Sequence, residues 1–341
     1  RLTSWRGFDF NGPQGNGSVQ LIPRDATNPE GRGDALIFQQ RRIDLGTLVF
    51  EVEGLNRLSL AEGDGSRSVV FVARADDGLE IRKIFTFHPG RYDIDVDLEM
   101  TAPGSLPASL GLPLSARFDW WEGIASTEKN KSMEDREFRS FVMVGEEFIS
   151  KKRQDIRKQD KIRGSYRGTI RFAGQQNKYF VICGIVPQTP GQPVESYVEL
   201  DGDETRNQQI WTVEVPLREQ PEAGRGRVSA RLQLFLGPSE FDLLKSYGAG
   251  LEKTVDLGFA VLRPLSELIL SAMTWLHRFI PNYGIIIVIL SVLTKLMFYP
   301  LTRTSTRSMK KMQELQPKIK ALQEKYKDNR EKLSQETMQL Y

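Results

Sequence analysis

The chain of 341 residues has one cysteine, Cys183, and two histidines, His88 and His277. A single thiol excludes any internal disulfide framework. Two histidines leave a cysteine nucleophile short of partners, so Cys183, inside the apolar run YFVICGIV, reads as a core residue. Charge of one sign is not in excess either. The 47 Lys and Arg stand against 44 Asp and Glu, a net +3, so the charge of the whole chain selects no partner. Long apolar runs are equally scarce. There is one, YGIIIVILSVLTKLMFYPL at residues 283–301, and its nineteen residues carry a single full charge, Lys295.

A bilayer core of about 30 Å is crossed by about 20 apolar residues in a helix, so this run is long enough to span. In lipid each backbone amide must be satisfied within its own segment, which predicts a transmembrane helix over 283–301. The stretch before it reads as water-soluble and mostly β, and the stretch after it as helical and basic. From Leu301 to Tyr341 ten cations face five acids. The chain begins without methionine and stops inside a helical pattern, so it reads as an excerpt of a longer protein.

Up to about residue 236 short β runs alternate with turn residues. Ser68–Ala73 leads into Asp76-Asp77-Gly78, a hairpin signal, and then into a run at 79–87 that stops at His88-Pro89-Gly90. Residues 92–98 alternate strictly, apolar on one face and acid on the other, as in a half-buried antiparallel strand. Further strands are predicted at 36–39, 48–52, 138–144, 168–172, 179–185, 194–200, 210–215 and 228–236. So many strands with Gly and Pro turns predict a large antiparallel β-sandwich.

Three features could be read as sites. Asp93, Asp95 and Asp97 share one strand face, and a solvated face accounts for them without metal or catalysis. Lys151-Lys152-Arg153, continuing to Arg163, has the composition of a nucleic-acid patch. Acids interrupt it and no aromatic platform accompanies it, so a charged loop without direct nucleic-acid readout is the better reading. Trp120 and Trp121 could stack on a sugar, but a β fold buries such a pair more often than it displays it.

After residue 236 helical signals take over. Ser239 is placed to cap a short helix at 240–247. A second helix is predicted over 259–280, regular from Arg263 because of Pro264. Its polar positions Arg263, Glu267, Ser271, Thr274 and Arg278 form one stripe, with Leu, Ile, Met and Phe opposite and Trp275 among them. Three full charges argue against its spanning the bilayer, and an amphipathic helix in the interface, Trp275 at headgroup level, fits better. Beyond 301, Met309, Met312, Leu315, Ile319, Leu322 and Tyr326 make a coiled-coil-like seam, with Pro317 expected to kink or start that helix. Lys327-Asp328-Asn329 then reads as the turn of a helical hairpin. The basic tail puts residues from 301 onward on the cytoplasmic side and the β domain outside. Lys295, about 8 Å along the helix from Pro300, could either snorkel to the headgroups or face a wet cavity in the inner leaflet.

The run LFLGPSEFDLLKSYGAGLEKTVDLGF, then WLHRFIPNYG, then TKLMFYPLTRTSTRSMKKMQELQPKIK and the rest of the tail closely resemble the YidC family of membrane protein insertases. The upstream GLEIRKIFTFHPGRYDIDVD resembles the periplasmic domain of its Gram-negative members. The resemblance implies a β-supersandwich over residues 1–248, a linker and interfacial helix over 249–282, a transmembrane helix over 283–301 and a cytoplasmic hairpin over 302–341, with further spans beyond. It implies an inner-membrane protein that inserts and folds nascent membrane proteins without cofactor or catalysis, alone or with the Sec translocon. Lys295 falls where the family carries a basic residue in a hydrophilic groove. Arg263, Glu267, Trp275 and Arg278 fall on the interfacial helix. Arg303, Arg307, Lys310, Lys311, Lys318 and Lys320 would form a surface recruiting the ribosome or signal-recognition factors. The competing reading is a membrane-anchored periplasmic sandwich that binds carbohydrate or docks partners.

Overall fold

The structure is a computed structural model that describes residues 6–11, 18–22, 33–54, 58–61, 63–75, 78–127, 130, 136–152, 164–188, 194–203, 208–220, 225–256, 263–325 and 338. Residues 1–256 and 257–341 form two compact units.

The first unit is built from seventeen described strands: β1 (Arg6–Asn11), β2 (Ser18–Gln20), β3 (Ala35–Phe38), β4 (Arg42–Asp44), β5 (Glu51–Glu53), β6 (Arg67–Arg74), β7 (Glu80–Phe87), β8 (Asp93–Pro103) and β9 (Pro113–Trp120) in the first half. The second half adds β10 (Arg139–Val144), β11 (Glu147–Lys152), β12 (Gly164–Gln176), β13 (Phe180–Ile185), β14 (Glu195–Asp203), β15 (Gln208–Pro216), β16 (Arg218–Glu219) and β17 (Arg225–Pro238). All but β1 and β2 join one antiparallel network in the order β4-β3-β9-β15-β14-β12-β13-β17-β8-β7-β6-β5, with β10 and β11 beside β12 and β16 beside β17.

Strand β12 folds this network into a sandwich. Its first half pairs with β14 in one layer, and its second half pairs with β10 and β13 in the other. Thirteen residues reach across both layers, so one strand serves as their shared edge. The inner faces meet in a single core that includes Leu36, Phe118, Trp211 and Val213 from one layer and Ile94, Leu98, Leu232 and Leu234 from the other. Fully burying such a side chain contributes about 1.5–3 kcal/mol, which is the main favourable term here.

The predicted strands are present, with ends that differ by a few residues. Three elements differ in kind. Residues 48–52 form a strand only from Glu51, because Leu45–Thr47 is a 3-10 turn. Lys151 and Lys152 lie on β11, not in a loop, since Phe141, Val142 and Met143 of β10 give that hairpin an apolar partner. The rest of that basic stretch, Arg153 to Arg163, lies outside the described residues. Ser239 does not cap the short helix α1 (Phe241–Ser246): Glu240 holds the cap position, and the Ser239 N–H donates to the Tyr179 carbonyl instead.

The acid row of β8 is also not a simple solvated face. Asp93 is buried and accepts both arms of Arg91 at 2.7 and 2.9 Å, Gln233 Nε2 at 2.7 Å and the Tyr247 hydroxyl at 2.9 Å. Asp97 takes both arms of Arg231, its register partner on β17, and Glu99 takes Arg227. The alternation was legible. The basic strand laid beside it was not, because cross-strand neighbours are set by topology. Burial alone would push the Asp93 carboxyl up, but the hydrogen bonds from Arg91, Gln233 and Tyr247 outweigh it and hold it below the ordinary range. Burial and the Asp93 charge push the Tyr247 phenol up to about 12.

That pairing seats α1 on a second, smaller core. Leu244 and Leu251 pack with Phe141, Phe172 and Phe235, and Tyr247 meets Phe235 edge-on at 5.0 Å. Cys183 lies in this cluster, fully buried, where burial pushes its thiol up.

The named helices of the second unit among the described residues are α2 (Arg263–His277) and α3 (Tyr283–Lys325). Helix α2 is described from Arg263 onward, and residues 257–262, where its start was expected, lie outside the described ones. The membrane run does not end as a separate helix at 301. The helix α3 continues for 43 residues, through Pro300 and Pro317, to about 65 Å. Pro300 has no N–H to give the Leu296 carbonyl, so the ladder loses one hydrogen bond there, and the Thr304 hydroxyl donates to the Pro300 carbonyl at 3.0 Å. The expected turn at 327–329 and the second arm of the hairpin lie outside the described residues.

Candidate functional site

Asn282 opens α3. Its side-chain oxygen accepts from the Gly284 N–H at 2.8 Å and the Ile285 N–H at 3.4 Å, satisfying donors that the first turn would otherwise leave unpaired. The His277 ring stacks on Tyr283 with centroids 4.0 Å apart, which closes the corner between the two helices. From that cap, Tyr283–Pro300 is the one described helix segment long and apolar enough to cross a membrane, about 27 Å of helix. Its side chains are mostly exposed: Ile285, Ile287, Val288, Leu293 and Leu296 have about half or more of their surface open. An apolar surface so continuous requires a cover, and lipid supplies one.

Lys295 is exposed on this segment. Counting along the helix from it, Ser291, Lys295, Tyr299, Thr302 and Thr306 are spaced four, four, three and four, so they fall within about 80° of arc. The lysine therefore sits in a strip of hydroxyl-bearing side chains that runs from mid-span into the basic segment. Thr306 donates to the Thr302 carbonyl at 2.8 Å, so at least that hydroxyl is satisfied by its own helix. A solitary cation suits snorkelling, whereas a cation in a polar strip suits a wetted face. The strip was open to sequence reasoning, since helical spacing from Lys295 picks it out.

Beyond the span, Arg303, Arg307 and Lys310 are exposed on α3 at spacings of four and three, one face. Lys311 and Lys318 continue that face by position, while Lys320 falls off it; the side chains of these three lie outside the described residues. Glu267 and Trp275 on α2 and Arg278 just after it are exposed, and only the backbone of Arg263 is described. Leu268, Trp275 and Phe279 form an exposed apolar ridge, with Trp275 against Phe279 at 5.1 Å. Both helices thus leave apolar faces open, and the cations gather on the long helix past Pro300.

Elsewhere, His88, Asp93 and Asp95 bring one ligand atom each within 4.8 Å. His88 bonds Ser66 at 2.7 Å and Asp95 at 3.2 Å, and Asp93 holds Arg91, Gln233 and Tyr247. The His88–Asp95 bond ties the turn after β7 to β8, while Asp93 belongs to the separate cluster with Arg91, Gln233 and Tyr247. Trp120 and Trp121 are buried.

The family model of the YidC periplasmic domain matches residues 19–271, and that of the 60Kd inner membrane protein matches residues 275–341. Among curated relatives, a membrane protein insertase YidC from Chlorobium luteolum is 34% identical over 310 residues, 88% of this chain and 50% of the relative. Another from Syntrophus aciditrophicus is 32% identical over 323 residues, 95% of this chain and 56% of the relative. The chain therefore spans about half the length of the curated relatives it matches. A galactose mutarotase related enzyme from Lactobacillus acidophilus is similar at a TM-score of 0.37 and 11% identity, over 64% of this chain and 87% of the other. Likeness that low carries no argument.

Proposed function

The chain belongs to the YidC family, and from that premise we propose that it is part of a membrane protein insertase that passes nascent segments into lipid along the polar strip of α3. The reading rests on Lys295, a cation inside the one described span, flanked along the strip by Ser291, Tyr299 and Thr302. A charge inside a span is costly, about 2.5–3.5 kcal/mol on insertion scales at the centre and less toward the end where Lys295 lies, and such charges usually face a polar partner or pathway. An acidic or polar flank of an incoming segment is such a partner. At reduced dielectric the attraction outweighs its value in water, and the apolar part of the segment then partitions into lipid. This sequence needs neither hydrolysis nor a cofactor.

The positive-inside rule orients residues from 301 onward to the cytoplasm and the β domain to the periplasm of an inner membrane. In that arrangement residues 1–248 form the periplasmic domain, 249–282 the linker and interfacial helix, 283–301 the crossing and 302–341 the cytoplasmic arm, with more spans supplied by the rest of the protein. The cations from Arg303 to Lys318 would receive the ribosome or targeting factors, and the Sec translocon would share substrates. The carbohydrate-anchor alternative is not favoured, since the curated relatives carry the insertase name.

The test uses the full-length protein in proteoliposomes with a single-span substrate bearing an acidic tail. Lys295→Arg should insert normally, because it keeps the charge, and Lys295→Glu should insert poorly. Equal insertion by both variants would remove Lys295 from the mechanism.

A further inference from the structure

The cations that follow the span are not equivalent, because α3 runs unbroken from Tyr283 to Lys325. At about 1.5 Å of rise per residue, Arg303 lies about 4.5 Å and Arg307 about 10.5 Å past Pro300, where the apolar segment ends. Lys318 follows only at about 27 Å. A bilayer has a core of about 30 Å within a total of about 40–45 Å, which leaves a polar layer of roughly 5–8 Å on each side. In the crossing proposed above, Arg303 therefore stands within that layer and Arg307 just beyond it. Side chains on a helix tilt toward its N-terminus, here toward the bilayer, and the long apolar stem of arginine lets the head reach back along it. Both guanidiniums thus come level with the lipid phosphates, and Lys318 does not.

Three observations say what these two arginines would meet. Both are exposed, and they are four residues apart, so they point to the same side of the helix. No acid lies within four residues of either, and the first on α3 is Glu314, so nothing on the helix nearby neutralises them. They also stand about 80° and about 120° round the axis from Lys295, at about 100° per residue. A group held by them lies beside the polar strip and leaves it open.

A guanidinium pairs with phosphate through a fork of donors, and an anionic leaflet attracts each basic residue near its surface. We infer that Arg303 and Arg307 form a binding site for the headgroup phosphate of an anionic phospholipid of the cytoplasmic leaflet, held beside the mouth of the polar strip. The site rests on the crossing and orientation proposed above, and it separates these two arginines from the outlying cations assigned to recruitment.

The test titrates the full-length protein in detergent with phosphatidylglycerol or phosphatidylcholine, and native mass spectrometry reads the affinity for the first lipid bound. The wild type should favour phosphatidylglycerol. Arg303→Gln with Arg307→Gln should weaken that lipid by about fivefold for each arginine removed and leave phosphatidylcholine unchanged. Both positions are exposed, so the substitutions disturb no packing. Lys318→Gln with Lys320→Gln removes the same charge farther out and should change neither affinity. Equal losses in the two double variants would show a diffuse charge effect and overturn the site. An unchanged phosphatidylglycerol affinity in the arginine variant, as expected if those residues serve only a protein or ribosomal partner, would overturn it too. Displacement of the lipid by inorganic phosphate at matched ionic strength would assign the site to a free anion and overturn the lipid reading. Failure of both lipids to bind would remove the crossing and the site together, whereas binding without preference removes the site alone. None of these readouts involves insertion.

Discussion

Asp93→Asn should destabilise the β domain at neutral pH and leave it unaffected in acid. The carboxylate accepts four hydrogen bonds: two from Arg91, one from Gln233 and one from Tyr247. Hydrogen bonds to a charged group are worth about 1.5–3 kcal/mol each. Asparagine keeps the shape but presents one neutral acceptor, and Arg91 is half exposed and can turn to water. The net loss is therefore about 2–3 kcal/mol, below the about 3–5 kcal/mol of breaking a fully buried pair. For a domain of this size each kcal/mol moves the midpoint by about 2–4 °C, so the expected fall is about 4–12 °C. Tryptophan fluorescence of the full chain in detergent reads it, since Trp120, Trp121 and Trp211 all lie in the β domain. The pH dependence has a definite sign. The Asp93 pKa is lowered in the fold, so its contribution is present above the ordinary carboxylate value near about 3.9 and is lost as pH falls through the folded value. Wild type and variant should thus converge in strong acid. A midpoint unchanged at pH 7, or a gap that persists once the carboxyl is protonated, would refute the reasoning.

Three further outcomes are expected. Tyr247→Phe should cost stability at neutral pH, and in wild type the Tyr247 contribution should be present in full below about pH 10 and be lost progressively as pH rises through about 12, because its folded pKa is raised; alkaline unfolding curves of the two chains check it. Cys183 should resist a thiol reagent until the domain unfolds, since it is buried and its thiolate is disfavoured; the labelling rate should follow denaturant, not reagent concentration. Gly174→Ala should destabilise by at least about 1–3 kcal/mol, because a Cβ there would collide with the Ile182 carbonyl and the Cys183 side chain across the β12–β13 pair; denaturant unfolding measures it.

Much of this was legible where a local signal sufficed. Strict alternation at 92–98 marked the core face of β8, and Ile94, Val96 and Leu98 are buried as it requires. The apolar run with Lys295 marked the span. What escaped was set by distant neighbours. Asp93 became a buried ion-pair centre because β17 brings Gln233 alongside and α1 brings Tyr247, from about 140 residues away and more. Strand β9 was missed because PLSARFDW puts Arg and Asp on a face that pairs internally, Arg117 to Asp119, and so shows no ordinary polar surface. The continuity of α3 past Pro300 was missed because the apolar run that marked the span ends at 301, while the helix goes on through a polar, basic segment. The strip around Lys295 was there to be counted.

The central claim is that one face of α3 is a path for polypeptide and the opposite face meets lipid. Tyr299 and Met297 lie on those two faces, roughly opposite by helical geometry, and they are equally exposed, at 62% and 63%. Replacing each in turn with a photoreactive phenylalanine analogue in the full-length protein, during translation of a single-span substrate, compares the faces without touching Lys295. The account predicts nascent-chain adducts from position 299 and lipid adducts from position 297. Equal nascent-chain labelling from both, or the reverse pattern, would contradict it.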